Sequence, residues 1–270
     1  SDLLITTTHH EILFFTNRGR AFVLKAYEIP ESGRAAKGTA IVNLLAVEAD
    51  ERITAVIQVR EFKPDRFLFL GTRKGVVKKT PLAEFANIRK SGLRAVNLDE
   101  DDELIGVKFT DGENRIMLGT RHGKAITFPE DGVRSMGRIA RGVRGITLSD
   151  GDEVVAMDIL KSGSEVLTVT EGGYGKRTAA DEYRTQTRGG KGLINMKVTE
   201  KTGSVVGIRV VRGSQELMLI TTEGIVIRTT VDEISLISRN TQGVKLMTIA
   251  ENDRVASMAT MNMTVDPPME

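Results

Sequence analysis

The chain has 270 residues, a formal net charge of +2, 40% hydrophobic residues and no cysteine. These values allow a real core, exclude a disulfide framework and a thiolate metal site, and give no overall charge signal for nucleic acid. The histidines are His9, His10 and His122, two adjacent and one in a turn, which is a poor zinc set, so neither metal nor cofactor is expected. No apolar run is long enough to span a membrane and no secretory leader is recognisable, so a soluble cytoplasmic chain with no membrane partner is expected.

A strand is predicted over residues 3–8, and the chain starts without methionine, which reads as a fragment of something longer. One unit then recurs five times: an apolar run, a glycine turn with basic residues, a second apolar run, and a basic patch closing on glycine. The turn glycines are Gly19, Gly75, Gly123, Gly175 and Gly224, and the patch glycines are Gly38, Gly92, Gly142, Gly192 and Gly243. A period of about 50 residues built from short strands indicates a propeller-like ring or a solenoid.

The runs flanking the turns cover residues 12–15 and 21–24, 67–70 and 76–79, 116–118 and 125–128, 166–169 and 177–179, and 217–220 and 225–228. β-branched and apolar residues around a glycine turn are hairpin signals. Pro81 and Pro129 would end the second strands, because proline donates no ladder hydrogen bond. A third strand is predicted after each patch glycine, at residues 40–44, 95–98, 145–148, 193–196 and 244–247. An acidic turn follows in most copies. A fourth strand then starts at Ile53, Leu104, Val154, Val205 and Val255, and Leu3 starts a sixth strand of this type.

Four strands make a blade, which cannot bury both faces alone. The expected class is all-β, a ring of five complete blades and a partial sixth, forming one domain over residues 1–262. Residues 263–270 carry Pro267-Pro268 and read as a disordered tail.

Charge follows strand position. Cations at the hairpin turns are Arg18, Arg20, Arg73, Lys74, Arg121, Lys124, Lys176 and Arg177, with only Arg228 in the fifth copy. Cations at the patches are Arg34 and Lys37; Arg89, Lys90 and Arg94; Arg138, Arg141 and Arg144; Arg184, Arg188 and Lys191; Arg239 and Lys245. Acidic residues gather between the third and fourth strands. In a ring the basic positions would form one belt and the acidic turns a separate rim. Such a belt suits a phosphate backbone, through counterion release and through bare backbone amides at glycines. Aromatic residues are 4% with no tryptophan, so duplex is favoured over stacked single strands. A protein-binding propeller of similar period is the alternative.

No Ser-His-Asp order is persuasive with three histidines. Tyr27, Tyr174 and Tyr183 sit at strand ends, turns and a patch anchor, and read as packing residues. Gly173-x-Gly175-Lys176 lacks the helix and Walker spacing of a phosphate loop.

The stretch Gln186-Thr187-Arg188-Gly189-Gly190-Lys191-Gly192 differs at one position from the Gln-Arg-Arg-Gly-Gly-Lys-Gly box of DNA gyrase A subunits. Ser238-Arg239-Asn240-Thr241-Gln242-Gly243-Val244 and residues 172–178 also resemble that subunit. The chain therefore resembles the C-terminal domain of gyrase A over nearly its whole length. The close competitor is the C-terminal domain of the topoisomerase IV A subunit. The resemblance implies a six-bladed β-pinwheel, a propeller-like ring in which blades exchange strands, with one blade incomplete here. It implies a monomeric, non-catalytic domain that wraps double-stranded DNA for negative supercoiling beside the remainder of gyrase A and the gyrase B subunit, in the bacterial nucleoid. In the family the box precedes the first strand. Here it stands in the fourth repeat, so this chain is expected to bind DNA but wrap it incompletely.

Overall fold

The computed structural model describes residues 6–32 and 36–262. Arg34, the first residues of the predicted opening strand and the expected tail at 263–270 lie outside the described residues. Residues 6–8 carry no strand.

The first repeat contributes β1 (Glu11–Thr16), β2 (Arg20–Lys25) and β3 (Ile53–Val59). The second contributes β4 (Phe67–Thr72), β5 (Val76–Pro81), β6 (Leu93–Arg94) and β7 (Leu104–Thr110). The third contributes β8 (Arg115–Thr120), β9 (Lys124–Pro129), β10 (Val143–Arg144) and β11 (Val154–Ile159). The fourth contributes β12 (Glu165–Thr170), β13 (Tyr174–Ala179), β14 (Leu193–Ile194) and β15 (Val205–Val211). The fifth contributes β16 (Gln215–Thr221), β17 (Val226–Thr230), β18 (Val244–Lys245) and β19 (Val255–Asn262).

Each hairpin is closed the same way. The first strand ends on a buried threonine, Thr16, Thr72, Thr120, Thr170 or Thr221. Its hydroxyl accepts the amide of the residue four positions on, at 3.3, 3.1, 3.0, 3.3 and 3.1 Å in order. Its carbonyl accepts the amide of the turn glycine three positions on. This rule corrects the fourth turn glycine: it is Gly173, at φ +80°, while Gly175 lies inside β13.

The blades are not built one per repeat. The fourth-type strand returns to its own hairpin, as β3 does to β1 and β7 to β4. The short third strand crosses to the preceding hairpin: β6 pairs with β2, β10 with β5, β14 with β9 and β18 with β13. Among the described residues four four-stranded sheets result, and a fifth, β17-β16-β19, has three strands. The third strand of the first repeat, expected at residues 40–44, is instead a 3-10 turn at Ile41–Asn43. Among the described residues no earlier hairpin exists to receive it. Five blades are present among the described residues, against the six expected, and the strand expected to open the partial sixth at Leu3 begins outside them.

Among the described residues the chain divides into two compact units, one of residues 6–32, 36–114 and 129–147 and the other of residues 115–128 and 148–262. The first holds the sheets built on β1 and β4. Its core combines Leu13, Phe15, Leu68, Leu70, Leu82 and Phe85, with Phe15 and Phe85 edge to face at 5.8 Å. The second holds the sheets built on β8, β12 and β16, with Leu167, Val169, Leu217 and Leu219 in one of its cores. First strands such as Phe67-Leu68-Phe69-Leu70 are buried on both faces, which is why they read as unbroken apolar runs rather than alternating ones. Each such side chain contributes roughly 1.5–3 kcal/mol by burial.

Candidate nucleic-acid interface

The turn cations and the acidic turns do not form separate rims. The fourth-type strand runs antiparallel to the first hairpin strand, so the acidic turn before it lands beside the hairpin turn. Arg18 pairs with Glu48 at 2.5 Å and with Asp50, and Arg20 pairs with Glu51 at 2.9 Å. Arg73 donates to the Asp101 carbonyl, and Lys74 donates to that of Glu100 at 2.8 Å. Arg121 lies 3.6 Å from Glu171. The acidic side chains also bind the turn backbone: Asp102 accepts the Lys74 amide at 2.9 Å, and Asp152 that of His122 at 2.9 Å. The expected segregation of charge is therefore corrected. Most turn cations sit among carboxylates or carbonyls, because strand order brings the two turns together.

Two further turn cations are drawn into the fold. Lys176 is fully buried, and its ammonium donates to the carbonyls of Ser238 at 2.9 Å and Arg239 at 2.5 Å. Arg177 is 14% exposed in its side chain and pairs with Glu165 at 2.7 Å. Lys124 is half-buried at the start of β9, opposite Ile194.

The patches present a different environment. Lys37, Arg89, Lys90, Arg141 and Lys191 are exposed, while Arg138, Arg188 and Arg239 are half-buried. Arg141 pairs with Asp99 at 2.5 Å, and Asp99 is held below the usual carboxylate range chiefly by that hydrogen bond. The crossing strands add exposed cations two residues past the patch glycine, at Arg94, Arg144 and Lys245. The patch glycines have a structural reason as well. A Cβ on Gly142 would lie 2.5 Å from the Val77 carbonyl, and one on Gly192 would lie 2.5 Å from that of Ala125. Both have positive φ, at +101° and +76°, so glycine is needed where each crossing strand enters. Of the box-like stretch, Gly190 and Gly192 lie against the β9 strand, near Ile126 and Ala125. Gly189 is likewise positive in φ, at +85°.

Sequence reasoning did not single out Lys78, Glu84 or Glu182. Lys78 is buried on β5 and donates to the carbonyls of Ala95, Gly137 and Arg138 at 2.5, 3.1 and 2.5 Å. Glu84 accepts the Arg138 amide at 3.0 Å, and Glu182 that of Arg239 at 2.8 Å. Burial pushes both Lys78 and Lys176 down to about 8, against the opposing pull of Glu84 and Glu182 and with help from Arg138 and Arg239. The signal in the sequence was a lysine at the third residue past a turn glycine, where the other hairpins carry Phe22, Ile126 and Ile227.

Residues 10–60, 66–111, 114–161, 164–212 and 215–260 match the family described as the DNA gyrase C-terminal domain, beta-propeller. The DNA gyrase A protein of Salmonella typhimurium is 49% identical over 264 residues, covering 98% of this chain and 30% of that protein. That of Staphylococcus aureus strain MRSA252 is 44% identical over 273 residues, covering 100% of this chain and 31% of that protein. The chain thus spans less than a third of the length of these relatives. Among solved structures, a C-terminal domain of DNA topoisomerase IV is 29% identical with a TM-score of 0.87, covering 94% of this chain and 79% of that one. A DNA gyrase A C-terminal domain superposes with a TM-score of 0.80 at 24% identity, covering 95% and 84%, and so supports the fold. The sequence matches over all five repeats and the shared all-β fold agree: the chain belongs to the DNA gyrase C-terminal domain family, a β-propeller family of gyrase A subunits.

Proposed function

We propose that this chain binds duplex DNA without sequence preference through its patch cations and wraps it, presenting it to the rest of a bacterial gyrase A protein and, through that, to gyrase B. Strand cleavage and ATP use then belong to parts of the gyrase outside this chain. The observation that carries this reading is the contrast between two sets of cations. Most turn cations are engaged by carboxylates and carbonyls, whereas the patches, where Arg141 is paired with a carboxylate, present Arg89, Lys90, Arg94, Lys191 and Lys245 exposed. Exposed cations that recur in successive patches suit an evenly charged polymer, and their affinity comes from counterion release rather than base reading. A topoisomerase IV A subunit is the second reading, favoured by the TM-score of 0.87. Identities of 44–49% to gyrase A subunits favour the first.

Linking number tests the wrapping. A nicked circular plasmid is sealed by ligase with the chain bound, and the deproteinised products are run on a gel. A protein-dependent topoisomer shift of one sign is expected. Binding at the same salt with no shift would leave DNA holding without wrapping, and would contradict the proposal.

A further inference from the structure

Lys176 and Glu182 grip the same short loop from two sides. The lysine donates to the carbonyls of Ser238, Arg239 and Thr241 and to the Thr241 hydroxyl, at 2.9, 2.5, 3.2 and 3.0 Å. Glu182 accepts the Arg239 amide at 2.8 Å. The backbone of residue 239 is thus fixed at both its amide and its carbonyl. The other unit repeats the device with Lys78 on the carbonyls of Gly137 and Arg138 and Glu84 on the Arg138 amide. In both copies the glutamate stands six residues after the lysine, and the gripped arginine stands four residues before a patch glycine.

The blade interior does not require these lysines. Phe22, Ile126 and Ile227 occupy the same position in the other three hairpins, and an apolar side chain there avoids the cost of burying a charge. A lysine offers what they cannot: three donors and no acceptor, matched to converging carbonyls. The beneficiary is the patch loop, whose residues 138–141 and 239–242 have no regular secondary structure of their own. A loop already held in its bound shape loses less freedom on binding.

We propose that Lys78 and Lys176 are positioning residues for DNA: with Glu84 and Glu182 they hold the basic loops of the third and fifth patches in their binding shape, acting through Arg138 and Arg239 rather than touching DNA. This rests on the proposed DNA-binding function. The charged groups facing the ammoniums are Glu84 and Arg138 for Lys78, and Glu182 and Arg239 for Lys176. Since burial lowers both lysines to about 8, raising the pH past that point leaves two donors for three carbonyls.

The test is fluorescence-anisotropy titration of a duplex with this chain across a salt series, using Lys176→Met, Glu182→Ala and, as a control at the unclamped equivalent, Ile227→Met. Circular dichroism checks folding. Lys176→Met is expected to weaken binding about 3- to 10-fold, the cost of re-ordering one loop. Glu182→Ala should act in the same direction more weakly, and Ile227→Met should leave binding unchanged. With Arg239→Ala already present, Lys176→Met should add nothing. Between about pH 7 and pH 9.5 the wild type should lose more affinity than Lys176→Met. A folded Lys176→Met and Glu182→Ala that both bind like a salt-sensitive wild type would overturn the proposal and leave the DNA reading standing. If Lys176→Met does not fold, the surface variant Glu182→Ala decides by the same criterion. A wild type whose duplex binding does not depend on salt would remove the DNA reading and this proposal together.

Discussion

Arg20 and Arg94 are direct cross-strand partners between β2 and β6. Like charges in that position normally repel. The blade sends them apart. Arg20 turns inward to Glu51 at 2.9 Å and the Ser91 carbonyl at 2.9 Å, with its guanidinium 4.8 Å above the Phe22 ring. The Glu51 side chain is fully buried and also accepts the Thr16 hydroxyl at 2.6 Å. Arg94 stays exposed, bonded to Asn97 at 3.2 Å.

The two arginines should therefore fail differently. Arg20→Ala strands the buried Glu51 carboxylate and is expected to cost about 2–4 kcal/mol of stability, with little effect on the salt dependence of DNA binding. Arg94→Ala should stay within about 0.5 kcal/mol of wild type and make the log–log salt slope shallower by about 0.9. Urea unfolding and duplex titration of both variants measure the pair of effects.

Gly192→Ala should act through the fold. Its φ of +76° and the 2.5 Å approach of a Cβ to the Ala125 carbonyl leave no room without moving β9 or β14. A loss of about 2 kcal/mol or more is expected in urea unfolding. A stable Gly192→Ala that loses only DNA affinity would show that this glycine serves the ligand instead.

The buried lysines also set a pH dependence of stability. Their folded values near 8 lie below the ordinary lysine value of 10.5, so burial disfavours the ammonium. Between these limits the unfolded chain binds more protons than the folded one, and the contribution of these groups to stability rises with pH. Their destabilising effect is complete below about pH 8 and is relieved toward pH 10.5, by at most about 3 kcal/mol per lysine. Relative to wild type, Lys78→Met with Lys176→Met should flatten the stability curve over that window. Parallel curves for the two proteins would refute the assignment.

The repeat, the hairpins and the all-β class are legible in the sequence, because a glycine turn between unbroken apolar runs allows few alternatives. The Thr-x-x-Gly closure is equally present, at Thr170-Glu171-Gly172-Gly173, but three glycines close together hide which one makes the turn. Strand exchange is invisible locally: Leu93-Arg94 carries no mark of pairing with Arg20 and Ala21 rather than with its own hairpin. The pairing of turn cations with acidic turns depends on that topology too, so a sequence-level map of charge by strand position separates groups that the antiparallel return brings together. Lys176 misleads for a related reason. A lysine beside a turn reads as solvated, and only the loop of the next repeat supplies the carbonyls that bury it.

The most direct test compares two triple variants in duplex titrations over a salt series. One neutralises the patches with Arg94→Ala, Lys191→Ala and Lys245→Ala, and the other neutralises the turns with Arg18→Ala, Arg73→Ala and Arg121→Ala. The patch variant should lose about 2 to 3 from the log–log slope while the turn variant keeps its slope within about 0.5. A turn variant that loses its slope beside a patch variant that keeps it would place the DNA on the hairpin turns and contradict the account.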